Sequence, residues 1–508
     1  MSTDIILDHF WDSLRTSAAH SILLLLILLI IPAMATAETL TLKRALEIAF
    51  AKSPDIRQAG YSLKSSAENL RAQQASLKSQ FRLSVTPLDY EKINRFSSLI
   101  SQYNKEEIRS SGVGLHVDQR IKWTDGLLSL VNRFSYQAYS SEFRGGEEET
   151  SYNNQLSLTF TQPLFTYNRT RQSLHQLELA LENAQLNYTI KRLEIESLVT
   201  RLFYDIHLKR MSAEIAEEEH NNSRESYKII KNKVEAGISA QEELYQAELN
   251  LANARSSLEN SIVTYDNGLD NFKISLGLPL AEEIEVIADV AKSVVAVNLE
   301  VAIEKACRYR MELRQHDISI ENARFQIIRA GAENEFSGSV ELRYGVDGKA
   351  ARFGDLYDSP DKNQKASIMF NIPLWDWGEK KSKIAASQAQ WESVRLSRQE
   401  VEKQIVFEIR QSYRALQNQL TQIDIAEANV RNAQLTYEIN LERYKSGDIS
   451  SKDIGYYQNQ LSREQLNQIT ALINYKLALL DLKIRSLWDF RKNEPILNNQ
   501  NQERNSVP

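Results

Sequence analysis

The chain repeats itself at a fixed interval, so whatever fold it adopts is built twice. Phe160, Pro163 and Leu164 recur 210 residues later as Phe370, Pro373 and Leu374. At the same offset Ile215-Ala216-Glu217 recurs as Ile425-Ala426-Glu427, Tyr227 as Tyr437, Gly237 as Gly447, Leu251 as Leu461 and Tyr265 as Tyr475. The starts of the copies match at an offset of 257, with Ala45-Leu46-Glu47 falling on Ala302-Ile303-Glu304 and Ile56-Arg57-Gln58 on Leu313-Arg314-Gln315. The two offsets differ by 47, so the first copy carries 47 extra residues between about 80 and 155. Length alone suggests about three ordinary domains; the duplication divides the chain instead into a leader at 1–37, a first repeat at 38–290, a second at 291–490 and a polar tail at 491–508.

Each copy reads in the same order: helix, strands, very long helix, helix. No proline lies between Pro163 and Pro279 or between Pro373 and Pro495, as uninterrupted helices require. A helix from about Tyr167 to Glu235 would be on the order of 100 Å long at 1.5 Å per residue. Leu244, Ala247, Leu251, Ala254 and Leu258 are spaced 3-4-3-4, a coiled-coil seam. After a step of four it continues as Ile262, Tyr265, Leu269, Phe272 and Leu276, a stutter that locally unwinds a supercoil. The second copy offers Ile423, Ala426, Val430, Ala433 and Tyr437, then Leu472, Tyr475, Leu479 and Leu482.

The strands, expected at about 82–165 and 336–374, alternate cleanly. Leu156, Leu158 and Phe160 are separated by Ser157 and Thr159; Val340, Leu342 and Tyr344 by Glu341 and Arg343; Ile368, Phe370 and Ile372 by Met369 and Asn371. One apolar and one polar face fit a barrel wall between lipid and water. Phe165, Tyr167, Trp375 and Trp377 gather at the strand ends, as in an interfacial girdle. Within the surplus, Asp125-Gly126 between two alternating runs signals an additional hairpin. That hairpin is expected to lengthen the outer end of the strand region; added to the wall it would give six strands per chain. Four strands, or six, cannot close a membrane barrel alone, and open edges cannot face lipid, so several chains must share one barrel.

Other classes are excluded by composition. With 61 Lys and Arg against 67 Asp and Glu, evenly mixed, the chain has no basic surplus for nucleic acid. A single cysteine, Cys307, excludes an internal disulfide, and seven scattered histidines carry no metal motif. No nucleophile–base pairing or phosphate loop points to an enzyme, and no cofactor is implied. Near the start, Ile22–Ile31 is an apolar run followed by Pro32 and Ala35-Thr36-Ala37, the pattern of a secretory signal cleaved after Ala37. The other reading is an uncleaved anchor, although the run is shorter than the ~20 residues a spanning helix needs.

Over about residues 40–490 the chain resembles the TolC-like outer membrane efflux proteins. The resemblance rests on the duplicated layout, on Pro163-Leu164 and Pro373-Leu374 ending the last strand of each copy, and on two helix-to-helix turns. From Gly237 to Leu244 and from Gly447 to Ile454 both turns fit G-x5-[DE]-[LI]. Gly ends one helix in the left-handed region, Ser239 or Ser450 is placed to cap the next, and the acid sits near its positive end. The resemblance implies a mainly α fold with transmembrane β: tandem long-helix coiled coils forming a periplasmic α-barrel, and strands contributed to a shared trimeric barrel of twelve strands in the outer membrane, which the surplus hairpin is expected to extend, or to raise to eighteen strands if it joins the wall. It implies a passive duct for efflux or type I secretion, docked to a periplasmic adaptor and to an inner-membrane pump or ABC exporter. It also implies that these turns close the periplasmic end. By motif position Asp453 matches the aspartate ring that narrows the tunnel, Glu243 the acid of the first tip and Tyr444 a tip-locking tyrosine. Where the family's locking arginine aligns this chain has Ile449, with Lys452 nearby; Tyr456 stands where a second aspartate is expected. Ordinary helix capping is the other reading of these acids. The alternative function is a secreted or periplasmic structural coiled coil without a pore.

Overall fold

The computed structural model describes residues 38–97, 102–142 and 145–496. The leader at 1–37 and the end of the tail, 497–508, lie outside the described residues. No described helix is long and apolar enough to cross a membrane. The chain divides into two compact units, and each draws on both copies of the repeat. One comprises residues up to Arg57, Lys191–Ala306 and Glu408 onward; the other comprises Gln58–Ile190 and Cys307–Phe407.

In chain order the helices are α1 (Leu42–Lys52), α2 (Pro54–Ser76), α3 (Arg169–Glu235), α4 (Gln241–Leu276), α5 (Leu299–Tyr309), α6 (Met311–Ala332), α7 (Glu379–Ser446) and α8 (Ser451–Ser486). The proline-free stretches become α3 and α7, of 67 and 68 residues. Thr41 caps α1 by accepting from the Arg44 N–H, and Pro54 opens α2, where its missing N–H costs nothing.

In the first unit, β1 (Glu38–Leu40) pairs in parallel with β6 (Ile284–Val286). Leu40, Ala45, Ala49, Phe272, Leu276 and Val286 are fully buried there, each large side chain contributing about 1.5–3 kcal/mol on leaving water. The seam of α4 differs from its apolar spacing. Ala247, Ala254, Phe272 and Leu276 are buried, but Ile262 is exposed and the buried position near Leu269 is Gly268. A Cβ at Gly268 would stand 3.0 Å from Cδ of Lys209 on α3. The heptad therefore runs on through Tyr265 and Gly268 without the expected stutter at 262: an aliphatic lysine stem fills a site that hydropathy assigns to an apolar residue.

In the second unit, β2 (Gln80–Ser97), β3 (Gln102–Ile121), β4 (Gly126–Ser141), β5 (Glu148–Leu164), β7 (Ser337–Ala350) and β8 (Asp361–Asn371) form one sheet in the order β2-β3-β4-β5-β7-β8. Every neighbouring pair is antiparallel. The turn before Gly126 joins β3 to β4, with Ile121 opposite Gly126 and Asp125 at φ 59°. The hairpin is thus part of one six-stranded sheet. Its base is fixed by groups the strand pattern does not reveal. Asp125 accepts from the backbone N–H groups of Arg169 and Thr170 and from the Thr170 hydroxyl, capping α3. Asn168 Nδ2 donates to the carbonyls of Lys122 and Trp123 at 2.8 and 3.0 Å.

Candidate functional site

The residues singled out in the sequence fall on two surfaces: the faces of the sheet and the helix-to-helix turns. Residues opposite each other in a sheet share a face, so the registers sort the side chains. Phe81, Val117, Leu130, Leu158 and Tyr344 form one row across five strands. Val340 stands opposite Ile368, and Phe160 opposite both Leu128 and Leu342 on the same face. The other face reads Arg82, His116, Val131, Ser157, Gly345, Asn363 in one row and Gln80, Asp118, Ser129, Thr159, Arg343, Lys365 in another. In these rows one side is mainly apolar and the other mainly polar and charged across the six strands.

Aromatic clusters bound the apolar face at both ends. Phe165, Phe336 and Phe370 meet at one end, with Phe336 and Phe370 stacked at 5.7 Å. Phe134, Tyr136, Tyr152 and Phe353 meet at the other. Tyr152 and Phe165 are separated by roughly 43 Å of strand at 3.3 Å per residue, or about 30 Å of height when tilted ~45°, a bilayer's hydrocarbon thickness. Leu374, Trp375 and Trp377 are exposed beside the first cluster's strand. Pro163 lies two residues past Thr161, the last β5 residue paired with β4, and Pro373 two past the end of β8; a residue without an N–H is tolerated at such ends. Asp376 then caps α7, accepting from the N–H groups of Gly378 and Lys380 at 3.0 and 3.1 Å. These bonds hold its carboxyl below the usual aspartate range.

The two turns are built alike. Gly237 (φ +71°) and Gly447 (φ +88°) occupy the left-handed region. Ile238 N–H donates to the Lys233 carbonyl at 2.8 Å and Asp448 N–H to that of Arg443 at 2.8 Å, the long-range bond of a Schellman cap. The helices that follow begin differently. Ser450 and Asp453 form a reciprocal capping box: Ser450 Oγ accepts from Asp453 N–H at 3.3 Å, and Asp453 Oδ2 accepts from Ser450 N–H and Oγ at 3.1 and 2.7 Å. In the first copy Ala240 takes the cap position and makes no side-chain bond, so the expected role of Ser239 is corrected. Asp453 is exposed, and the Ser450 hydrogen bonds, aided by Lys452 and Arg443, hold its carboxyl below the usual aspartate range. Glu243 is half-buried, and its carboxylate has no hydrogen-bond or ion-pair partner among the described residues.

Tyr444 is buried, its hydroxyl 3.1 Å from Ser226 Oγ on α3, with Lys233 Nζ 5.8 Å from its ring centroid. Lys452 is exposed at the rim of an open groove of ≈ 470 Å³ between α3, α4 and α8, shared with Glu219, Asn250, Asn253, Tyr456 and Asn459. Burial raises the Glu219 carboxyl. Sequence reasoning missed Ser226, Glu219 and this groove, although Asn250, Asn253 and Ser257 are spaced 3-4 and mark a polar stripe on α4.

Residues 124–267 and 302–484 match the family described as outer membrane efflux protein. In fold the chain is similar to the CmeC outer membrane channel of Campylobacter jejuni, with a TM-score of 0.67 at 16% identity over 89% of this chain and 88% of that one. It is similar to the outer membrane protein VceC of Vibrio cholerae (TM-score 0.64, 14% identity, 88% of this chain and 95% of that one). It is also similar to the open state of the MtrE outer membrane channel of Neisseria gonorrhoeae (TM-score 0.63, 13% identity, 88% of each chain). Comparison with curated protein sequences gives no match. The matched segments fall on both copies of the repeat, and the chain belongs to the outer membrane efflux protein family, with its place in the outer membrane.

Proposed function

We propose that three copies of this chain form a passive exit duct that spans the outer membrane and is fed by a periplasmic adaptor and an inner-membrane pump or exporter. The observation that carries this reading is a sheet with one lipid-compatible and one water-compatible face, continuous in the chain with helices of 67 and 68 residues. A structural coiled coil has no use for such a sheet. In this reading the turns at Gly237 and Gly447 are the entrance, Asp453 lines its narrowest point, and Tyr444 holds the α7 end against α3. Glu243 and Lys452 are charges available to neighbouring copies or to an adaptor. The polar groove beside Lys452 is a surface suited to a partner's helices. A water-filled tunnel reads size and charge rather than chemistry, so the pump sets the cargo.

Three exposed carboxylates around a narrow aqueous entrance attract cations and repel anions. Asp453→Asn should therefore lower cation preference in planar-bilayer conductance while native gels still show trimers. Asp453→Arg should shift the preference towards anions. Unchanged selectivity in both would leave Asp453 as a capping acid only. Cross-linking in intact envelopes followed by identification of the attached proteins tests the docking; recovery of the duct with no adaptor or pump would overturn that part.

A further inference from the structure

We propose that the shared barrel has eighteen strands, closed by β8 of each copy pairing with β2 of the next, so that the surplus hairpin enlarges the pore wall. The inference rests on the duct reading and goes beyond it by assigning the sheet edges to a second copy of this chain. β2 and β8 are the two edges of the sheet. Six strands, every pair antiparallel, leave those edges running in opposite directions. A β2 laid beside a neighbour's β8 therefore continues the antiparallel order, and a three-fold ring has no free edge.

The surplus strands carry the wall's own pattern. Phe81, Leu83 and Val85 on β2 are 74%, 65% and 57% exposed. They stand opposite Val117, Leu115 and Val113 on β3, on the same face as Leu130 and Leu158. Arg82 and Ser84 fall on the polar face with His116 and Gly114. A hairpin standing outside the bilayer would leave that apolar patch in water. On the apolar face charge appears only farther from the helices, where Lys92 pairs with Glu107, Lys105 with Glu142 and Arg109 with Glu148.

The hairpin also reaches the base of the wall. Gln119 Nε2 donates to the Leu77 carbonyl at 2.8 Å, and Ser79 Oγ bonds Gln119 Oε1 at 2.7 Å, tying β3 to the end of α2. The following turn is held by Asp125 and Asn168 at the start of α3. The segment from Ser79 to Asp125 has 47 residues, the length of the surplus between the copies. Its removal would leave only Leu77 and Lys78 between α2 and Gly126, the start of β4. An insertion that begins and ends at the helix edge adds two full strands. Barrel diameter grows roughly linearly with strand number, so the wall would be about 1.5 times as wide as one with four strands per chain.

The test places pairs of cysteines across the joint in a Cys307→Ser background and oxidises them in isolated outer membranes. Ile368→Cys on β8 is combined with Phe81→Cys, Leu83→Cys or Val85→Cys on β2, and separately with Leu128→Cys or Leu130→Cys on β4. Covalent trimers from at least one β8–β2 pair, and none from β8–β4, are expected. Linkage of β8 to β4 would show twelve strands with the hairpin set aside. Intact trimers linked by neither set would also overturn the eighteen-stranded joint while leaving the duct reading in place. Absence of trimers from the outer membrane even without substitutions would sink both. Counting strands in the unsubstituted trimer by electron cryomicroscopy gives an independent answer, with eighteen expected and twelve overturning the proposal.

Discussion

Asp453 shows how a single side chain serves local structure and, in the proposed duct, the channel as well. Its carboxylate is turned back on Ser450, and those hydrogen bonds favour the ionised form. The sign follows: a carboxylate whose pKa is depressed on folding stabilises above its unfolded value, near 3.9, and loses that contribution as pH falls through the lower, folded one. Three such groups brought close would repel and push in the opposite direction. Ser450→Ala removes the Oγ partner and leaves the repulsion, so the pH at which cation preference disappears in bilayer recordings should rise. An unmoved midpoint would mean that Ser450 does not set the ionisation of Asp453. The same substitution removes the cap and should cost about 1 kcal/mol of helix stability. The motif G-x5-[DE]-[LI] made Gly447 and Asp453 legible from sequence. It could not show that Ser450 caps while Ser239 does not, because cap position depends on where the chain leaves the left-handed glycine.

Among elements, the long helices were legible because a proline gap is a covalent fact that no packing overrides. The strands were legible from period-two alternation, and the turn before Gly126 from its Asp-Gly. Three features needed tertiary information. The neighbour of β2 is chosen by pairing, which alternation does not encode. Gly268 is buried because Lys209 lies over it, whereas Ile262, apolar and well spaced, faces outward. The Tyr444–Ser226 bond joins residues 218 apart. That bond connects the ends of α7 and α3, so Tyr444→Phe and Ser226→Ala should each weaken the connection by about 1 kcal/mol. Together they should do no more than either alone, the mark of a shared interaction in a double-mutant cycle. Additive losses in thermal unfolding of the trimer would show that the two hydroxyls act separately. Within the first unit, Phe272 is fully buried against Phe203, their ring centroids 6.3 Å apart. Phe272→Ala should cost about 3–5 kcal/mol by the cavity it opens, read as a lowered melting temperature, with no change in channel selectivity.

At the scale of the whole molecule, the sheet must satisfy two solvents at once, and consecutive residues of one strand test that division. Leu158 and Thr159 are neighbours on β5, midway between the two aromatic clusters, and they fall on opposite faces. Leu158 stands opposite Leu130 and Tyr344, while Thr159 stands opposite Ser129 and Arg343. If the apolar face meets lipid, Leu158→Arg places a charge near the bilayer midplane at a cost of about 2–4 kcal/mol per chain. Three copies multiply that cost in one assembly, so the variant should accumulate poorly in the outer membrane and its trimers should dissociate at lower temperature. Thr159→Arg places the same charge in water, beside Arg343 and across from Ser129. It should assemble normally and instead lower the preference for cations, because three added positive charges line the conduit. The pair keeps residue type, strand and depth nearly constant and changes only the face. Equal assembly defects in both variants would contradict a wall with lipid on one side and water on the other. Normal assembly of Leu158→Arg would place the apolar face against protein or water rather than lipid.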